Sequence, residues 1–366
     1  VTGPKIVVAP DKFKGSLTAG QAAGALARGI RTSIPSADVV EFPIADGGEG
    51  TVQMMLARGW QRVSCSVTGP TGPSVRADYA YLGGCAVMEM AAAAGLALVP
   101  GGPSPESAMH ATTFGVGELI ADALERGAHR IVIGVGGSAC TDGGMGAVTA
   151  LGARIDRSGA RLTGVDSRLS SNDLVVVCDV DNPLTGPTGA AAIYGPQKGA
   201  TALQVDALDA RLRHWADHVN VATGRDLRTM PGAGAAGGLA FGLASVLGAR
   251  LVPGIEFMLE FTGFHDLLAD AQLVVVGEGS LDAQSLHGKG PIGVARVARE
   301  HGIAVVAAVG RSEISDGAAH AAGVSDVHTL TSLEPDVELA MRDASRLLQI
   351  VGTTIGDRYA EIRPRT

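Results

Sequence analysis

The residues best equipped for chemistry stand in loops that follow short apolar runs. Residues 130–146, RIVIGVGGSACTDGGMG, start apolar and then break into Gly134, Gly136, Gly137, Gly143, Gly144 and Gly146, with Ser138, Thr141 and Asp142 between them. Glycine removes the Cβ and lets backbone N–H groups approach a ligand closely. A strand that runs into such a loop ahead of a helix is a cradle for an anion. On this reading Gly136, Gly137 and Ser138 face phosphate and Asp142 holds a cation.

The same pattern recurs along the chain. Residues 10–18, PDKFKGSLT, place Asp11, Lys12, Lys14 and Ser16 between a strand and a helix, where open α/β sheets bind ligands. Asp46 and Glu49 flank Gly47 and Gly48, a pairing that suits Mg²⁺ or a hydroxylated substrate, or else a capped helix start. Asp179 and Asn182 follow the apolar run 174–178, and Gln197 and Lys198 lie shortly after. Gly277, Glu278 and Asp282 follow LVVV at 273–276, with Lys289 at the next helix start. Glu278 and Asp282 suit a metal or a general base, and Lys289 suits a phosphate. Glu89 ends another apolar run and reads equally as functional or as an edge residue.

Of 29 basic residues only Lys5, Lys12, Lys14, Lys198 and Lys289 are lysine. All but Lys5 fall in these glycine-rich loops, where a compact point charge is not equivalent to an arginine fork. Acids, glycines and lysines at repeated strand ends are the equipment of phosphoryl transfer. A binding protein for an anionic ligand would need fewer carboxylates, while a phosphatase or a phosphate-dependent aldolase stays open. The main competitor is a dinucleotide site. Gly134, Gly136 and Ala139 fit G-x-G-x-x-A after a strand, with Asp156 about twenty residues on. That would suit an NAD(P)-dependent oxidoreductase of a small hydroxy acid, but Cys140-Thr141-Asp142-Gly143 delays the helix. No Walker A, G-x-S-x-G or zinc-type histidine spacing occurs.

Strands alternating with helices at both chain ends predict one parallel sheet, with strands at 5–9, 39–45, 273–276, 303–309 and 327–330. Thr18 is placed to cap a helix over 19–32. Residues 64–90 change character to alternating, hairpin-like text, as at the start of an inserted domain. The expectation is two α/β domains with mainly parallel sheets, one formed by 1–63 and 268–366, the other by 64–267. Residues 235–247 read as a close-packed helix rather than a second phosphate loop. At 366 residues and 46% hydrophobic content a sizeable core is assured. A net charge of −8 argues against nucleic-acid and membrane partners. No signal peptide is evident, and four scattered cysteines fit a reducing cytoplasm.

Several blocks together resemble the bacterial glycerate kinase family: VVAPDKFKGSL (7–17), ADGGEGT (45–51), VTGPTG (67–72), GGSACTDGG (136–144), CDVDNPL (178–184), GPQKGA (195–200), PGAGAAGG (231–238) and GEGSLDAQSLHGKGPIGVA (277–295). They occur in the family's order and cover nearly the whole chain. The resemblance implies a kinase using ATP and Mg²⁺ on D-glycerate, most readily giving 2-phosphoglycerate, with the active site between two α/β domains that close on substrate. A homodimer is compatible with it. Carried onto this chain, Lys12 with Asp46, Asp179 and Asp282 are the expected catalytic residues. Lys14, Ser16, Gly47, Gly48, Glu49, Asn182, Gln197, Lys198 and Lys289 are expected to meet substrate or phosphate. Gly136, Gly137, Ser138 and Gly277 are expected to meet the nucleotide, and Asp142 and Glu278 the metal. The chain departs from the family at Phe114 and Ser280, where arginine is common, and at Thr141, where asparagine is common.

Overall fold

The computed structural model describes residues 3–362 except 157, 158, 163, 284, 288 and 289. Its strands are β1 (Lys5–Pro10), β2 (Asp38–Glu41), β3 (Gln61–Thr68), β4 (Ser74–Leu82), β5 (Cys85–Glu89), β6 (Arg130–Gly134), β7 (Arg154–Asp156), β8 (Gly159–Arg161), β9 (Asp173–Val177), β10 (Arg250–Val252), β11 (Leu273–Leu281), β12 (Ala304–Ser312) and β13 (Asp326–Thr329). They sort into two compact units, Val1–Asp46 with Ile255–Thr366, and Gly47–Gly254.

The first unit holds a five-stranded sheet in the order β13-β12-β11-β1-β2, parallel throughout. Its strands read as continuous apolar runs because both faces are covered. In β1, Ile6 and Val8 pack with Leu26 and Ile30 of the helix Ala19–Ser33 and with Leu347 and Val351 of the helix Ala344–Ile362. Val7 and Ala9 point the other way, into a cluster with Val294 and Ala298 of the helix Gly290–Glu300. Thr18 starts the first of these helices with a reciprocal capping box to Gln21. β2 ends at Glu41, short of the expected 45, since Pro43 has no N–H for the ladder. β11 instead runs on to Leu281, so Glu278 and Ser280 are strand residues rather than loop residues. The carboxyl ends of β1, β11 and β12 emerge side by side, with Pro10 opposite Gly277 and Ser280 opposite Arg311.

The second unit holds a six-stranded sheet in the order β10-β9-β6-β5-β4-β3. β3, β4 and β5 form the antiparallel meander expected from residues 64–90, and β5, β6, β9 and β10 are parallel. A short antiparallel hairpin of β7 and β8 stands apart from this sheet.

The units divide at 46/47 and 254/255, not at 63/64 and 267/268. Helix Thr51–Ala57 buries Val52, Met54 and Met55 and packs on β4 and β5, so it belongs with the middle of the chain. Helices Gly254–Phe261 and Phe264–Leu268 bury Ile255, Leu259, Phe264 and Leu268 in the core around Val274 and Val276. Both segments are helical text without a composition break, so only the packing partner sets the boundary.

Candidate functional site

In the first unit the strand ends assemble a charged floor. The Asp11 N–H donates to Gly277 O at 2.8 Å, which fixes the turn out of β1. Asp11 Oδ1 accepts the Lys12 backbone N–H at 2.6 Å. Phe13 and Leu17 bond each other reciprocally and close the loop that carries Lys14 and Ser16. Ser16 Oγ donates to Met341 O, tying this loop to the helix Val337–Arg342. Arg311 Nε donates to Ser280 Oγ at 3.2 Å. Asp11, Lys12, Lys14, Ser16, Glu278 and Arg311 all line a cavity of about 520 Å³.

The acids here are mutually coupled. Burial pushes Asp11 up to about 6, with Lys12 opposing and Asp46 reinforcing the shift. Burial likewise pushes Glu278 up to about 7; a hydrogen bond from Ser285 opposes it, and Asp11, Asp282 and Asp46 add to it. Glu278 Oε1 is buried without a hydrogen-bond partner among the described residues. Such an atom normally costs about 1–3 kcal/mol, and this one lies on a cavity wall where a ligand can satisfy it. Asp282 Oδ1 accepts the Ser285 N–H at 3.2 Å and so also shapes the turn after β11. Among the described residues no three acids, histidines or cysteines are close enough to hold a metal by themselves. This does not conflict with Mg²⁺, which binds through one or two carboxylates together with substrate phosphates and water.

In the second unit the glycine loops serve one another. A Cβ on Gly134 would sit 1.6 Å from Gly47 O, and one on Gly47 would sit 2.2 Å from Val177 Cγ1. Gly237 is equally confined, 1.9 Å from Cys140 O. It belongs to a left-handed run, Ala236, Gly237 and Gly238, at the start of the helix Ala235–Leu247. The close-packed reading of 235–247 therefore holds, with a kink that sequence periodicity did not reveal. Gly136 and Gly137 form the exposed tip of the 134–144 loop. Asp142 accepts from Thr113 N (2.8 Å), Thr113 Oγ1 (2.9 Å), Gly144 N (3.1 Å) and Gly146 N (3.2 Å), so its carboxylate is committed to holding the loop on the next helix. No helix begins near Ala139; the next is Met145–Ala150, which removes the dinucleotide fingerprint.

Lys198 is 1% exposed and donates to Ser138 Oγ at 2.9 Å and Cys140 O at 2.6 Å. It anchors the loop from beneath. Burial lowers its pKa to about 8, with Cys140 and Asp142 opposing. Between about pH 8 and the ordinary lysine range the unfolded chain binds the extra proton, so this group makes stability rise with pH there. The Lys198→Met variant is expected to lose that slope and to be less stable by about 1–3 kcal/mol, because Cys140 O is left unsatisfied. Denaturant titrations at pH 7.5 and 9.5 check this; equal slopes in both proteins would refute it.

The remaining expected residues are dispersed. Asp179 accepts the Gly254 N–H at 2.6 Å at the start of the helix Gly254–Phe261. Asn182 bonds Thr188 O at 2.9 Å and Tyr194 OH at 2.5 Å. Gly48 O accepts Thr51 Oγ1 at 2.7 Å, and Glu49 and Gln197 are exposed. Gly277 lies in β11 beside Ala308 of β12, and a Cβ on it would be 2.5 Å from Ala308 O. Lys289 lies outside the described residues. Glu89 accepts from Gly50 N at 3.1 Å and Val52 N at 2.8 Å, a capping role. Of the departures, Thr141 Oγ1 is buried without a partner, Phe114 begins the helix Phe114–Glu125, and Ser280 faces Arg311. Arg311 escaped the sequence reading because only strand register brings it beside Ser280. Asp11 stood in view but gave no sign of its coupling to Glu278.

A family model described as the glycerate kinase family matches residues 6–360. A glycerate kinase of Bacillus subtilis (strain 168) is 43% identical, covering 94% of this chain and 95% of its own. A glycerate 2-kinase of Escherichia coli (strain K12) is 42% identical, covering 93% and 94%. A crystal structure assigned as glycerate kinase 2 of Salmonella typhimurium LT2 superposes with a TM-score of 0.86 at 39% identity, over 98% of this chain and 99% of that one.

Proposed function

This chain belongs to the glycerate kinase family, and we propose that it transfers the γ-phosphoryl group of ATP to the 2-hydroxyl of D-glycerate, giving 2-phosphoglycerate and ADP. The observation that carries the chemistry is Glu278. Its Oε1 has no partner among the described residues, and its pKa near 7 is matched to taking a proton at neutral pH. In this reading the glycerate hydroxyl oxygen bonds to the γ-phosphorus, the bridge to ADP breaks, and the hydroxyl proton passes to Glu278. Lys12, Lys14 and Arg311, lining the same cavity, offset the negative charge of the phosphates and of the transferring group. Mg²⁺ accompanying the nucleotide would be held by Asp11 and Asp46, whose mutual repulsion a cation relieves, and it would supply charge neutralisation at the phosphates. Asp142, already saturated, positions the 134–144 loop, with Lys198 beneath it. The cysteines are all free thiols, which supports a reducing cytoplasm as the compartment.

The test is a coupled ADP-release assay with ATP, Mg²⁺ and D-glycerate, the product read by phosphorus NMR. Glycerate-dependent ADP release with phosphate on C2 is expected. Phosphate on C3 would reject the product assignment, and no glycerate-dependent release would reject the reaction.

A further inference from the structure

The cavity over the strand ends of the first unit has an apolar part that the chemistry above leaves unused. Leu330, Val337, Ala340, Met341 and Ala344 line the cavity together with the charged residues. Val337 and Met341, four residues apart on one face of the helix Val337–Arg342, stay 45% and 40% exposed. Side chains of this kind that are left in solvent beside an enclosed polar floor mark a surface that a ligand covers. Ser16 Oγ holds this helix to the lysine loop through Met341 O, and a Cβ on Gly15 would lie only 3.0 Å from Met341 Cε. The apolar wall and the cationic floor are therefore one slot, of about 520 Å³, within the usual size of a small-molecule site of about 300–1,000 Å³. Glycerate is too small to fill it and has no apolar face to lay on methionine and valine. A nucleoside triphosphate has both halves: a flat base for the apolar wall and anionic phosphates for Lys12, Lys14 and Arg311.

We propose that this slot binds the phosphate donor, with the base on Val337, Met341 and Ala344 and the phosphates directed to Lys12, Lys14 and Arg311. It rests on the kinase reading, and it moves nucleotide recognition from the Gly136–Ser138 loop to the first unit.

The test compares the wild type with Met341→Leu, Met341→Gln and Met341→Glu, following binding of a fluorescent ADP analogue and the KM for ATP and for glycerate. Met341 is half in solvent, so folding should survive; the melting temperature of each variant verifies it. Expected are near wild-type nucleotide affinity for leucine, a loss of about five- to tenfold for glutamine and a larger loss for glutamate, with the glycerate KM within twofold. Unchanged nucleotide affinity in all three, with turnover intact, would overturn the slot and leave the kinase reading standing. A raised glycerate KM at constant nucleotide affinity would assign the slot to the acceptor and also overturn it. A wild-type protein that binds no nucleotide and releases no ADP would overturn the kinase reading, and the slot with it.

Discussion

Replacing Glu278 with glutamine is expected to lower kcat by about 10²- to 10⁴-fold, the usual contribution of a positioned general base. Glutamine keeps the volume and a carbonyl oxygen but cannot take the proton. In the wild type, kcat/KM is expected to rise with pH through about 7, where the free enzyme's Glu278 loses its proton. Cations at the site favour the carboxylate, so the corresponding limb in kcat should lie lower. Stability should move in the opposite direction to activity. A carboxyl whose folded pKa is raised contributes stability below its unfolded pKa and loses it as pH rises through the folded value. Above pH 8 the wild type therefore holds a buried charge at a cost that glutamine removes. The variant should melt about 2–4 °C higher there. A thermal melt at pH 8.5 and a pH–rate profile check both halves. Activity retained within tenfold, or a profile limb that survives the substitution unchanged, would remove Glu278 from the role of base.

The second large effect is structural. Gly134→Ala is expected to destabilise the second unit by about 3 kcal/mol or more, because its Cβ would overlap Gly47 O, a backbone atom that no rotamer change can move aside. Gly136→Ala should be far milder. Its Cβ meets only Gly48 Cα, at 3.3 Å, and the residue is exposed. Denaturant unfolding of the two variants separates the meanings of the motif. A Gly134→Ala protein of native stability with a raised KM for ATP would make this glycine a phosphate contact instead of a packing contact.

That contrast explains what the sequence hid. Gly134 and Gly47 both looked like openings for phosphate, because a glycine in text shows only that a Cβ is excluded and not what excludes it. Here the excluding atoms are Gly47 O for Gly134 and the Val177 side chain for Gly47, far away along the chain. Lys198 was legible as a special lysine, but its burial under Ser138 and Cys140 O was not. Asp142 was legible as a special acid, but two of its close donors come from Thr113, which is distant in sequence.

By itself the sequence determined the α/β class, the parallel sheet joining both chain ends, the meander that opens the middle segment, and the strand-end loops that carry the acids and lysines. These follow from local information: apolar runs of strand length, the cap at Thr18 and turn glycines between alternating residues. Only the tertiary structure decided which of those loops share a cavity, which carboxylate oxygen lacks a partner among the described residues, and where the two units divide. Each of these depends on register and packing between segments that are separated along the chain. Ser280 and Arg311 meet because β11 and β12 pair in one register. Glu278 feels Asp11 and Asp46 because β11 lies beside β1. Met341 reaches the lysine loop through one hydrogen bond from Ser16.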